Sequence, residues 1–282
     1  MGTLIVGGAE IFVLRDKEAV ARAAADLTIA ALDAALQARG AAHWVLTGGS
    51  SAVTLYSLLP QDEWRARIED WSFVHLWWGD ERMVPPDHPE SNVGLAYRAL
   101  LAIGAKAAQS SGGEGTDVGA GVTAGLPIHP NNIHAPSVME SLASDDPGSF
   151  AAEKYAAAVQ QLAPTGLDGN PEFDLIHLGV GPDGHILSVF PGSPALAPDA
   201  PLAMPIAAPE HVSPHIPRLT LTPRILAPAQ RIIVMATGSA KAGVVAAILG
   251  QDRQPGRWPA QAVLLPNATW LIDAEAAAQL PH

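Results

Sequence analysis

Short apolar runs closed by glycine recur along the chain, and the stretches between them carry apolar residues at helical spacing. From Asp16 to Gly40, Val20, Leu27, Leu32 and Leu36 stand among many alanines, which predicts one long helix with Asp16 as N-cap and Gly40 as C-cap. His43-Trp44-Val45-Leu46-Thr47 then reads as a strand and Gly48-Gly49-Ser50-Ser51 as a turn. Val53, Leu55, Leu58 and Leu59 follow as a helix closed by Pro60. The alternation returns at Ser72–Trp78 before Gly79, at Phe173–Leu178 before Gly179, and at Arg231–Ala236 before Gly238 and the helix-like Ala240–Leu249. Short buried strands alternating with helices predict an α/β fold, a mostly parallel sheet with helices on both faces. In such sheets ligands gather at the carboxyl ends of the strands, so the four glycine turns are the places to look for chemistry.

Two regions depart from this pattern. Gly104–Gly125 holds seven glycines and lacks both apolar periodicities. It is predicted as a flexible surface insertion within a single α/β domain spanning 1–282, in preference to an interdomain linker, because the alternation continues on both sides and neither half alone makes a complete sheet. Pro191–Pro217 is rich in proline, with Leu202–Ala207 as its predicted strand, and is expected to run over the surface near the third turn.

Composition narrows the chemistry. With 48% hydrophobic and 16% charged residues the chain has ample material for a core. The absence of cysteine excludes disulfides, thiolate metal sites, iron–sulfur clusters and a cysteine nucleophile. Sixteen Lys plus Arg against 28 Asp plus Glu give a net charge of −12, the wrong sign for a nucleic-acid partner. The charge-free stretches Gly40–Gln61 and Val118–Met139 are broken by Gly, Pro, Ser, Thr, Asn and His, so no membrane span is expected. The N-terminus lacks the basic region and apolar core of a signal peptide, and a cytoplasmic location is expected. A small anion remains a suitable partner, because a few cations and helix N-termini suffice to hold one.

The first turn, Gly48-Gly49-Ser50, offers backbone N–H groups at a helix start where an anion can approach closely. It lacks the spacing and lysine of a Walker loop, and an ordinary turn with a serine N-cap is the competing reading. The second, Gly79-Asp80-Glu81-Arg82, sets two acids and an arginine directly after a very apolar strand. In the third, Gly179-Val180-Gly181-Pro182-Asp183-Gly184-His185, residues 179–184 fit GxGxxG, but Pro182-Asp183-Gly184 reads as a turn where a dinucleotide fingerprint needs a helix. What remains is Asp183 two residues from His185, a pair suited to an imidazole base whose tautomer a carboxylate sets. The fourth turn opens a helix with Lys241, unfavourable for the helix dipole but well placed for an anion held there, and Arg218 is a second candidate clamp.

Taken in order, these segments resemble the 6-phosphogluconolactonase family, within the sugar-phosphate isomerase and deaminase fold group with its modified Rossmann-like sheet. The matching pieces are Leu46–Ser50, Trp78–Arg82 with Ser91-Asn92, and Gly179–His185 with Ser188–Pro191. Pro217–Thr222, Gly238–Ala242 and Pro259–Gln261 complete them. Leu187 and Val189 stand where the family more often has Ala and Leu. The resemblance implies hydrolysis of 6-phospho-D-glucono-1,5-lactone to 6-phosphogluconate in the oxidative pentose phosphate pathway, with no metal or organic cofactor, by a monomer or homodimer. It assigns His185 as base, Asp183 as its orienter and Arg82 to charge stabilisation or sugar hydroxyls. Arg218, Lys241 and the amides of Gly48, Gly49 and Ser50 are assigned to the phosphate, with Asp80, Gly181 and Gly184 as further substrate-site residues. Glucosamine-6-phosphate deaminases share the Asp-Gly-His turn but resemble one another in a Glu shortly after it, where Ser188–Pro191 has no acid. A non-catalytic sugar-phosphate sensor and a nicotinamide-dependent oxidoreductase also compete with the hydrolase reading.

Overall fold

The computed structural model describes residues 3–102, 125–250 and 252–280, so the insertion predicted at 104–125 lies, apart from Gly125, outside the described residues. Helix α1 (Lys17–Arg39) forms between its predicted caps. The Asp16 carboxylate accepts the Ala19 N–H at 2.9 Å. Gly40, at φ 73°, donates its N–H to the Leu36 carbonyl at 2.8 Å, a left-handed C-cap that favours glycine. Helices α2 (Ser50–Leu58), α3 (Asp62–Arg65) and α4 (Asn92–Ala99) follow, and three more span Val138–Ser141, Pro147–Leu162 and Ala242–Leu249.

The strands are β1 (Thr3–Val6), β2 (Ala9–Leu14), β3 (Ala42–Leu46), β4 (Val74–Trp78), β5 (Asp80–Arg82), β6 (Ile133–His134), β7 (Leu175–Gly179), β8 (Ala203–Ile206), β9 (Arg218–Leu221), β10 (Ile232–Ala236) and β11 (Ala268–Asp273). Eight of them form one sheet in the order β1-β2-β11-β10-β7-β3-β4-β6, parallel throughout except for the β1–β2 hairpin. From β3 the chain steps outward to β4 and β6, then returns to the other side of β3 with β7 and steps outward again. The order therefore reverses between β3 and β7, and there the loops after the strands diverge and leave a crevice.

The sheet is covered on both faces, as the alternation predicts. One face packs Trp44, Leu46, Leu76 and Trp78 under α1, α2 and α4, and alanines 21, 24, 25 and 35 of α1 let that helix lie close to the strands. The other packs Trp77, Ile176, Val234 and Trp270 under the helices Pro147–Leu162 and Ala242–Leu249. Each such fully buried side chain contributes roughly 1.5–3 kcal/mol of transfer free energy.

Two polar sites lie within this core. His177, fully buried on β7, sits between Thr28 and Trp44. Thr28 Oγ1 gives its only hydrogen to the Ala24 carbonyl, so it accepts from His177 Nε2–H at 3.0 Å, and His177 Nδ1 accepts the Trp44 indole N–H at 3.1 Å. His43, His75 and His134, from three adjacent strands, stack at 4.4 and 5.2 Å.

The segment read as the second glycine turn is in fact a strand. Asp80–Arg82 forms β5 of a separate three-stranded antiparallel sheet, β5-β9-β8, in which Arg82 faces Arg218 in register. Its pairing partner lies far along the chain, so local pattern does not reveal it.

Candidate active site

Four loops at the carboxyl ends of β3, β4, β7 and β10 meet around one pocket at the strand-order reversal, lined by Gly48, Gly49, Ser50, Asp80, Arg82, Gly181, His185, Arg218 and Lys241 among others. The structure thus brings together residues separated by almost two hundred positions. Gly184 stays outside the lining. It turns the loop at φ +81°, and a Cβ there would lie 2.9 Å from the Trp258 ring, so its glycine serves packing. Asp183 also lies behind the lining, in contact with His185.

The first loop is capped by Gly49 at φ 88°, with no side-chain cap, so the competing reading of a serine N-cap does not hold. Gly48 is required by a neighbour: a Cβ there would fall 2.0 Å from Asn92 Oδ1. Asn92 is buried and donates from Nδ2 to the Asp80 carbonyl at 2.9 Å, which ties the first loop to β5. The third loop follows the same logic. A Cβ on Gly181 would sit 2.0 Å from His185 Nδ1, so the imidazole lies where that side chain would be.

His185 Nδ1 stands 2.5 Å from Asp183 Oδ1, and its own backbone N–H donates to the same oxygen at 3.2 Å. Burial opposes charge on Asp183, but hydrogen bonds from His185 and His211 outweigh it and hold the carboxyl well below the usual range. An anionic Asp183 has no hydrogen to give, so His185 carries its proton on Nδ1 and has a lone pair on Nε2.

The cations differ in their partners. Arg218 is 2% exposed, its side chain donates to the Pro214 carbonyl at 3.3 Å, and it lies over the Phe190 ring at 5.3 Å. Burial lowers its pKa while Asp80 raises it. Arg82 donates to the Glu90 carbonyl at 2.5 Å. Among the described residues the buried Nε of both arginines has no hydrogen-bond partner, a cost that an anionic guest would offset. Lys241 lies in a 3₁₀ turn, Ser239–Lys241, just before the helix expected to contain it, and burial lowers its pKa against the pull of Asp183.

Of the two acids after β4, Asp80 belongs to the pocket and accepts the Ser188 hydroxyl at 2.6 Å. Glu81 turns away, 1% exposed, and accepts from Ser91 Oγ and from the backbone N–H groups of Arg82, Asn92 and Val93. It anchors the start of α4. Sequence reasoning missed three contributors, His211, Val212 and Ser213, which reach the site from the proline-rich segment.

Residues 15–272 match the family described as glucosamine-6-phosphate isomerases/6-phosphogluconolactonase. The chain belongs to this family. It is 35% identical over 280 residues to the 6-phosphogluconolactonase of Streptomyces coelicolor, covering 97% of this chain and 95% of that one. It is 34% identical over 277 residues to the Mycobacterium tuberculosis 6-phosphogluconolactonase, covering 96% and 98%. The solved 6-phosphogluconolactonase of Trypanosoma cruzi superposes with a TM-score of 0.78 over the whole of both chains at 24% identity, a likeness of fold. Among the described residues, no helix is long and apolar enough to cross a membrane.

Proposed function

We propose that this protein hydrolyses 6-phospho-D-glucono-1,5-lactone to 6-phosphogluconate, the step that the resemblance implies. The observation that carries the reading is an imidazole with one nitrogen tied to a half-buried carboxylate and, among the described residues, no partner on the other, in a pocket shared with arginines whose buried Nε has none either. A lactone is an activated ester, so its hydrolysis needs a base for water, donors for the developing oxyanion and a grip on the distant phosphate. His185 Nε2 takes a proton from water as its oxygen bonds to the lactone carbonyl carbon. The tetrahedral adduct then breaks its bond to the ring oxygen, which leaves with the proton returned by His185. Arg82 stabilises negative charge on the carbonyl oxygen or fixes sugar hydroxyls. Arg218, Lys241 and the amides of Gly48, Gly49 and Ser50 hold the phosphate, and that anchor orients the carbonyl. No step calls on a metal or organic cofactor, and the reaction belongs in the cytoplasm.

The rival reading, deamination of glucosamine 6-phosphate, needs a further acid near the histidine. At Ser188–Phe190 the side chain against the imidazole is the Phe190 ring, 4.6 Å from it, which favours the lactonase. The test generates the lactone enzymatically and follows acid release against the spontaneous rate, with ammonia release from glucosamine 6-phosphate as a parallel arm. Acceleration of acid release alone is expected. Ammonia release without acceleration of lactone opening overturns the reading. Light scattering on the same sample decides between monomer and homodimer.

A further inference from the structure

Asp183 has two oxygens and meets two imidazoles. Oδ1 takes the Nδ1–H of His185, while Oδ2 stands 2.8 Å from Nε2 of His211, 28 positions further along the chain. Because the carboxylate is a pure acceptor, His211 must be the donor, so its proton lies on Nε2. The Phe190 ring seats both imidazoles, His185 at 4.6 Å and His211 edge-on at 5.9 Å. The next two residues, Val212 and Ser213, line the pocket. One side chain therefore joins the segment bordering the pocket to the carboxylate that orients the base.

We propose that His211 is a positioning residue for the lactone hydrolysis argued above: its Nε2–H fixes the outer oxygen of Asp183, so that the inner oxygen holds His185 in the tautomer with Nε2 free. This rests on that reading of function. Without His211, only one oxygen of the carboxylate is held, the group can turn about its own bond, and the His185 ring it carries is less well oriented. The charged and titratable groups facing Asp183 are His185 and His211, with Arg218 and Lys241 acting on it at longer range.

The test compares wild type, His211→Ala and His211→Gln, since glutamine can donate an N–H over a similar reach. His211→Ala is expected to lower kcat about three- to tenfold, the weight of one hydrogen bond at an exposed side chain, with KM within about twofold. The imidazole ¹⁵N resonances of His185 shift and its Nδ1–H exchanges faster with solvent, as the hydrogen bond to Asp183 is no longer held in one place. His211→Gln restores at least half of kcat. Wild-type kcat with an unchanged His185 spectrum in His211→Ala overturns the proposal. So does a glutamine variant no better than alanine with KM raised in both, which marks His211 as a mere loop contact. The imidazole spectra need no substrate, so failure of the lactonase reading itself is seen separately, as a wild type that does not accelerate lactone opening.

Discussion

His177 and His185 lie eight residues apart at opposite extremes of use. On β7, His177 is fully buried, and Thr28 and Trp44 satisfy both ring nitrogens. Burial pushes its pKa down to about 3, which keeps it neutral. Past the end of the same strand, His185 has one nitrogen committed to Asp183 and the other turned towards a pocket. The residue type is identical, and the difference is the partner count. A histidine with both nitrogens satisfied is a packing element with internal hydrogen bonds, whereas one held by a carboxylate at a single nitrogen is an oriented base.

The largest effect expected from this contrast is on turnover. His185→Ala should lower kcat by roughly 10²–10⁴-fold, the loss typical of a general base, with a melting temperature close to wild type. Near wild-type turnover in the purified variant breaks the comparison. His177→Ala should do the reverse. It leaves the Trp44 indole N–H unpaired beside a cavity, costing about 2–4 kcal/mol in urea unfolding, while kcat per folded molecule stays within about twofold. A full loss of kcat in the folded variant assigns His177 to the site.

The third test separates grip from chemistry. Lys241→Ala should cut the ratio of kcat/KM for the phosphorylated lactone to that for unphosphorylated gluconolactone by roughly ten- to a hundredfold. If both efficiencies fall together and the ratio holds, Lys241 belongs to the reacting end. The fourth concerns acid. His43 and His177 are lowered to about 3 and His134 to about 4, chiefly by burial, so the folded chain resists protons that the unfolded chain accepts near 6.5. The unfolded state binds more protons in that window. Stability from these imidazoles is therefore complete above about pH 6.5 and drains as pH falls towards 3, by up to about 1.4 kcal/mol per pH unit for His177. A His177→Phe variant that remains folded should show a shallower fall of the urea midpoint between pH 7 and 5, and an unchanged slope removes His177 from the account.

Much of the architecture is legible in the sequence. The strands β3, β4, β7 and β10 are apolar runs broken only by His43, His75 and His177, because both faces of the sheet are covered, and β3, β7 and β10 each end in a glycine turn. The hairpin β1–β2 has a local signal as well, Gly7-Gly8 between two apolar runs, where both glycines take positive φ. Other features have none. Three charged residues do not look like a strand, and β5 is one only because Arg218–Leu221 pairs with it. Nothing local separates Glu81 from Asp80 as a site acid, and only the N–H groups at the start of α4 that converge on it mark it as structural. His211 stands in a proline-rich run without periodicity, and its partner is set by where the loop crosses the third turn.

Arg218 and Lys241, on the proposed reaction, grip the one group that lactone opening leaves unchanged. The phosphate is the same in the ring and in the open acid, so holding it stabilises reactant and product alike and also slows escape. On the same reaction, ring opening creates a carboxylate at the His185 end, between Arg82 in the pocket and Asp183 behind the imidazole. Since the clamp treats lactone and acid alike, any preference between them has to be set at that end, by the balance of those two opposite charges.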